Sequence, residues 1–177
     1  RLIVDARGDR LITNIGMSHL SGLHDVDTVA AEKGKLFEKT ASQGTLFVNL
    51  ADRKVVDLAK ENPLQKVNFS LQKTAEAKVF FVHSKSLGLG GWETVVSAKG
   101  QEYKLKIPHV GRPMLENSLA AIAVGHHLGV PMPQIEKGLA QKIFASGRSE
   151  IVSLPGQRTL IDDSYNSNPL SMRAAIE

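Results

Sequence analysis

The sequence predicts an α/β fold: a mostly parallel central sheet flanked by helices, with an antiparallel β-rich edge. Three observations carry that reading. Between residues 11 and 71, short apolar runs alternate with helix-spaced segments, the rhythm of parallel strands joined by right-handed crossovers. From 78 to 107, three β-rich runs follow one another with only glycine-containing turns between them, and strands joined that closely form an antiparallel meander. Near the end, Thr159-Leu160-Ile161 runs into Asp162-Asp163-Ser164-Tyr165-Asn166-Ser167-Asn168-Pro169. In open α/β sheets, ligands bind in the crevice beyond the carboxyl ends of the strands. An acidic pair there suits ribose hydroxyls or a cation; the plainer alternative is a turn followed by a helix cap.

Taken in order, residues 1–5 and 11–15 are short apolar runs that read as strands. Residues 27–39 set Val29, Ala30, Lys33, Leu36 and Phe37 at helical spacing, with Asp25 or Asp27 as the cap. A strand over 45–50, a short helix over 52–60 that stops before Pro63, and a strand over 67–71 complete the alternating half. The β-rich runs are 78–83, 92–98 and 102–107, turned at Gly88, Gly90 and Gly91 and then at Gly100. Residues 115–128 form an Ala-rich helix, and 133–142 a second one after Gly129-Val130-Pro131. The link 146–148 leads to a β-pair, 149–154 and 158–161, turned at Pro155-Gly156. Pro169 then opens a helix over 171–177, because its fixed φ suits the first helical position.

Composition narrows the function classes. With 177 residues, 42% hydrophobic and 23% charged, the chain holds one core and a fragment of another. The absence of cysteine removes disulfides, thiolate metal sites and cysteine nucleophiles together, and fits a reducing compartment. No apolar run reaches the roughly 18 residues a membrane span requires. The net charge of +4 comes without a Lys/Arg block, and aromatic residues are 5% of the chain. That combination argues against a nucleic-acid partner, which needs a basic track and stacking platforms. A small anionic partner fits the charge better.

Three blocks carry a resemblance to a known family. The first is Thr13-Asn14-Ile15-Gly16, then Ser18-His19-Leu20, with Glu32-Lys33-Gly34 following so that Lys33 stands fourteen residues after His19. The second runs from Gly111 to Ala123 and ends Asn117-Ser118-Leu119-Ala120-Ala121-Ile122-Ala123. The third is Gly147-Arg148 followed by Asp162-Asp163-Ser164-Tyr165-Asn166-Ser167-Asn168-Pro169 and Ser171-Met172. In order and spacing these blocks resemble the ATP-dependent Mur ligases of peptidoglycan synthesis, over nearly the whole chain from Leu11 on. The Tyr-Asn and Ser-Met of the third block resemble the branch that joins D-alanyl-D-alanine to UDP-N-acetylmuramoyl-tripeptide.

The resemblance implies a cytoplasmic, monomeric enzyme that uses ATP and Mg2+ and passes through an acyl phosphate. It implies a central ATP-binding domain over residues 1–146 and the start of a C-terminal Rossmann-like domain over 147–177. Lys33 matches the family's carbamylated lysine, a catalytic group and, as a carbamate, a hard oxygen ligand for magnesium. An exposed lysine is too protonated to form a carbamate, so burial must lower its proton affinity. His19 matches the magnesium-site histidine, catalytic and metal-binding, and Asp5 stands where the family has a glutamate ligand. Asp163 matches the residue that takes the ribose hydroxyls, and Arg148 an arginine directed at the ATP phosphates, where a guanidinium fork suits phosphate. Asn117 matches the asparagine at the adenine-side helix start. Tyr165, Asn166 and Asn168 shape the loop that meets the dipeptide. Each has an ordinary alternative: a solvated lysine, a surface histidine, an interdomain ion pair for Arg148, a helix-terminal hydrogen bond for Asn117. The late-helix pair His126-His127 reads as structural, since imidazole suits a helix C-terminus.

The sequence departs from the family pattern at several points. No Gly-x-x-Gly-Lys-Thr phosphate loop occurs in it, and Gly88-Leu89-Gly90-Gly91 lacks the following Lys-Ser/Thr. Pro113-Met114 replaces the usual His-Asn, and Lys35 replaces a common glutamate. The expectation is therefore a fragment of a longer ligase, inactive by itself, with the short stretch 7–10 as a junction. The rival expectations are a degenerate, non-catalytic scaffold or binding module, and another amide ligase of the superfamily, of the folylpolyglutamate or cyanophycin type.

Overall fold

Seven strands line up in chain order, β1-β2-β3-β4-β5-β6-β7, and a separate hairpin follows. The computed structural model describes residues 2–4, 8–16, 25–141, 147, 149–165 and 169–176. The elements are β1 (Leu2–Val4), β2 (Arg10–Ile12), α1 (Val26–Glu38), β3 (Thr45–Asn49), α2 (Arg53–Lys60), β4 (Gln65–Ser70), β5 (Val79–Ser86), β6 (Trp92–Ala98) and β7 (Gln101–Ile107). Then come α3 (Arg112–His127), α4 (Met132–Ala140), the hairpin β8 (Glu150–Leu154) with β9 (Arg158–Asp162), and α5 (Pro169–Ile176). Strands β2 to β5 are mutually parallel, and β6 and β7 fold back antiparallel at the edge. The parallel centre and antiparallel edge expected from the sequence are both present.

One strand departs from the expected parallel rhythm. β1 pairs antiparallel with β2, Leu2 opposite Ile12 and Val4 opposite Arg10. A parallel neighbour requires a crossover of a dozen or more residues, and the few between Val4 and Arg10 cannot supply one. The step from β4 to β5 is also too short for a crossover yet parallel, because the two overlap only at Phe69–Val79 and Ser70–Phe80. β5 therefore starts where β4 stops and carries the meander past the carboxyl end of the parallel strands.

Alternation along β3 divides the core between two faces. Leu46 and Val48 point to α1 and α2, packing with Val29, Phe37, Val55 and Ala59. Phe47 points the other way, into a cluster with Phe69, Phe81, Val96 and Ile107 of the sheet and Leu119, Ile122, Met132 and Ile135 of α3 and α4. All five β3 residues are buried, as expected of a strand covered on both faces. In α3, Leu115, Leu119, Ile122 and Ala123 recur on one helix face and are at most 4% exposed.

Local chemistry explains the boundaries. Asp25 rather than Asp27 caps α1, its Oδ1 accepting from the Thr28 N–H at 2.7 Å. α3 starts a turn earlier than expected, at Arg112, since Pro113 falls in the first turn where its missing N–H costs nothing. The turn into β6 needs Gly91: its φ is +87°, and a Cβ would lie 2.1 Å from the Ile107 carbonyl oxygen. At the amino end of the sheet, buried Asp9 accepts from the Thr45 N–H at 2.7 Å, tying the start of β2 to β3. No described helix is long and apolar enough to cross a membrane.

Candidate functional site

The carboxyl ends of β2 and β3 lie side by side, Ile12 opposite Val48. The chain leaves β2 after Ile12, three residues sooner than the sequence suggests, because side chains take over its backbone groups. Asn49 Nδ2 donates to the Thr13 carbonyl at 2.7 Å, while Asn49 Oδ1 accepts from the Ala51 N–H at 3.0 Å. Asp52 Oδ2 accepts from the Ile15 N–H at 2.6 Å, and its Oδ1 caps α2 through the Val55 N–H at 3.2 Å. Lys33 reaches across from α1, and its Nζ donates to the Asn14 carbonyl at 2.9 Å. Three side chains from three elements thus hold consecutive residues of one loop.

Lys33 is half-buried. Burial lowers its proton affinity below the usual lysine range, and the Asp52 carboxylate partly opposes that shift. The direction is the one a carbamate-forming amine needs. Lys35, in place of the common glutamate, pairs instead with Glu32 on the exposed side of α1. His19, Asp5, Arg148, Asn166 and Asn168 lie outside the described residues. Among the described residues, no group of three or more His, Asp or Glu is placed to hold a metal ion. The groups that are described around the lysine, the Asn14 carbonyl and the Asp52 carboxylate, are oxygen donors of the kind a hard divalent cation takes.

The third sequence block is drawn together in space. Asp163, just past β9, accepts through Oδ1 from the Ser149 N–H at 2.9 Å and the Ser149 hydroxyl at 3.4 Å. The Tyr165 N–H donates to the Gly147 carbonyl at 2.9 Å. Gly147 has φ +71°, and a Cβ there would sit 3.0 Å from Tyr165 N, so this close approach requires glycine. Asp162 accepts from the Ser164 N–H at 3.0 Å, and the Ser164 hydrogen bonds hold its carboxyl below the usual range. Both carboxylates therefore serve the local turn, as the plainer sequence alternative has it. Asp163 Oδ2 accepts no bond from the described residues, and the residue is exposed. Tyr165 is 63% exposed.

Asn117 stands half-buried in the second turn of α3, since the helix begins at Arg112. It is thus not at the helix start, and a terminal hydrogen bond is not its role. No hydrogen bond or ion pair joins Lys33, Asn117 and Asp163 to one another among the described residues. The histidine pair is structural: His127 packs its ring edge-on against Phe47 at 5.3 Å, with Nε2 3.3 Å from Thr45 Oγ1. Burial and, secondarily, the Lys99 charge lower the proton affinity of His126. Asn49 and Asp52 are the residues sequence reading misses. Their signal is the same one that marks 161–169, polar side chains directly after a buried strand of an α/β sheet.

The family model for the Mur ligase middle domain matches residues 10–125. UDP-N-acetylmuramoyl-tripeptide–D-alanyl-D-alanine ligase of Buchnera aphidicola is 28% identical over 167 residues, 94% of this chain and 37% of that protein. UDP-N-acetylmuramate–L-alanine ligase of Caldicellulosiruptor bescii is 32% identical over 170 residues, 94% of this chain and 36% of that protein. The crystal structure of MurF from Acinetobacter baumannii superposes with a TM-score of 0.80 at 28% identity, covering 93% of this chain and 35% of that one. The chain thus spans about a third of the length of these relatives. With the family-model match over more than half of its length, the chain belongs to the Mur ligase middle-domain family.

Proposed function

We propose that this chain is the ATP-site portion of a cytoplasmic ligase that joins D-alanyl-D-alanine to UDP-N-acetylmuramoyl-tripeptide in peptidoglycan synthesis. Membership of the family and the likeness to MurF over nearly the whole chain support this reading. The single observation that carries it is Lys33: a half-buried amine of lowered proton affinity, fixed beside the carboxyl ends of the parallel strands. A neutral lysine nitrogen adds to the carbon of carbon dioxide, losing one proton and leaving a carbamate. Its oxygens, with His19 and Asp5, would hold magnesium, which when bound supplies positive charge to phosphoryl and carboxyl oxygens.

In this reading the γ-phosphoryl group of ATP passes to the tripeptide carboxylate with release of ADP, and the dipeptide amine then displaces phosphate from the acyl phosphate. Negative charge gathers on oxygen in both steps, so fixed cations are the chief stabilisers. Arg148 meets the phosphates, Asp163 accepts from the ribose hydroxyls through its unused oxygen, and Asn117 faces adenine. Tyr165, Asn166 and Asn168 position the dipeptide. The division into a central domain, 1–146, and the start of a second one, 147–177, accords with the hairpin forming its own sheet.

Two measurements test the proposal. Native mass of the chain in bicarbonate gains one carbon dioxide, and Lys33→Ala loses that gain; no gain at any pH up to about 9 overturns the carbamate. The isolated 177-residue chain, which has no Gly-x-x-Gly-Lys-Thr segment, releases no ADP with the muramyl tripeptide and D-alanyl-D-alanine. Turnover by it would sink the view that this is a partial site.

A further inference from the structure

A cleft of about 670 Å³ opens on the sheet face opposite α3, where β5, the β6–β7 turn and the residues after β4 meet. It shares no residue with the loop that Lys33 grips. Its floor is apolar: Phe80 is half-buried, and Val82 is 48% exposed with no helix over it. Its rim is basic, with Lys73, Lys78 and Lys99 against a single carboxylate, Glu102. None of the three lysines forms an ion pair with a described residue.

The fold holds the backbone of two of those residues. The Lys99 N–H donates to the Lys78 carbonyl at 3.4 Å, which sets the two residues side by side where β5 begins and β6 ends. Lys99 is held at φ +49° in the tight turn with Gly100. Lys78 Nζ donates to the Lys66 carbonyl at 3.2 Å, leaving two N–H bonds for another acceptor. Across the floor, Ser97 is paired with Glu102 in the β6–β7 ladder, offering a hydroxyl and an acceptor.

We propose that this cleft is a second binding site, separate from the nucleotide site, for a small amphipathic anion: an apolar or aromatic body on Phe80 and Val82, with a phosphate or carboxylate between Lys73, Lys78 and Lys99. The volume suits a small molecule, since ligand pockets run from about 300 to 1,000 Å³. Three lysines lining one cleft beside exposed apolar surface favour a ligand that brings opposite charge and apolar area at once. Inorganic phosphate would gain only the first of these, and a neutral arene only the second.

The test uses 2-naphthyl phosphate, with 2-naphthol and inorganic phosphate for comparison, followed by backbone amide shifts of the chain. The expected result is saturable shifts at Ala77, Lys99 and Gly100, with 2-naphthyl phosphate binding at least tenfold tighter than either comparison compound. Lys73→Gln combined with Lys99→Asn should weaken it at least tenfold, asparagine being tolerant of the left-handed turn. Lys104→Gln, exposed on β7 outside the cleft, should leave binding unchanged. Inorganic phosphate binding as tightly would reduce the site to a charged rim. Shifts confined to residues 13–16, or equal loss from Lys104→Gln, would overturn the proposal and leave the ligase reading untouched.

Discussion

Replacing Asp52 with alanine removes two interactions whose separate sizes follow from the geometry. The Oδ2 bond to the Ile15 N–H is short, 2.6 Å, and made by an ionised acceptor; such bonds contribute about 1.5–3 kcal/mol. The Oδ1 bond to the Val55 N–H is an N-cap at 3.2 Å, and losing a cap costs about 1 kcal/mol. Ile15 is 8% exposed, so water has limited access to the amide left behind. Together the loss is about 2–4 kcal/mol, a large part of an ordinary domain stability of roughly 5–15 kcal/mol. Urea unfolding followed by the single tryptophan, Trp92, should show a midpoint lowered by about 1–2 M at a slope of about 2 kcal/mol/M. Asp52→Asn offers one carbonyl oxygen where two acceptors are needed, so its cost should fall between wild type and alanine. Hydrogen exchange localises the effect: the Ile15 amide should lose protection in both variants. A loss under about 0.5 kcal/mol for Asp52→Ala, or an Ile15 amide with unchanged exchange, would refute the idea that this carboxylate holds the loop.

Three further outcomes are expected. Lys33 binds its proton less tightly folded than unfolded, so the unfolded chain takes up more protons and stability rises with pH between the lowered folded value and about 10.4. The stability of wild type relative to Lys33→Gln should therefore rise as pH climbs through that window, read by urea midpoints in buffers free of bicarbonate; a constant gap would contradict the burial of the amine. Asp162 has the same sign in a more acidic window: its carboxyl, lowered by the Ser164 bonds, contributes stability present above its unfolded value and lost as pH falls through the folded one. Carboxyl NMR titration should find Asp162 below the usual aspartate range and Ser164→Ala should move it up toward that range. Gly147→Ala meets both the φ of +71° and the 3.0 Å approach of Tyr165 N, costing about 1–2 kcal/mol. Loss of protection at the Tyr165 amide, with β2 to β7 unaffected, is the expected exchange pattern.

Much of the fold is legible in the sequence because its signals are local. The 27–39 spacing, a cap at Asp25 or Asp27, the glycine turns of the meander and Pro169 at the opening of α5 are each read from a few neighbouring residues. What sequence reading misplaces is what distant residues decide. The strand after residue 10 runs on to 15 by composition, but Asn49 and Asp52, 36 and 37 positions away, take its backbone groups and end it at Ile12. The antiparallel β1 follows from a connection too short for a crossover, which is countable only once the strand ends are known. The candidate site divides the same way. Lys33 is legible from its spacing to His19, but what makes it a plausible carbamate is burial between α1 and the loop, which no spacing encodes.

The acidic pair shows how one motif can satisfy a structural and a functional reading together. Asp162 and one oxygen of Asp163 are committed to the turn that joins Gly147 and Ser149 to Ser164 and Tyr165. That commitment does not compete with ribose binding, because a carboxylate has two oxygens and about four acceptor positions. The Ser149 bonds to Oδ1 instead fix the rotation of the Asp163 side chain and leave Oδ2 directed by the fold rather than free to swivel. An asparagine at 163 could keep the Ser149 bonds through its carbonyl oxygen but would present an amide donor in place of that second acceptor. The hairpin would then survive while a ribose diol lost its partner, so the observed turn role of Asp163 and its proposed ribose role are separable by one substitution.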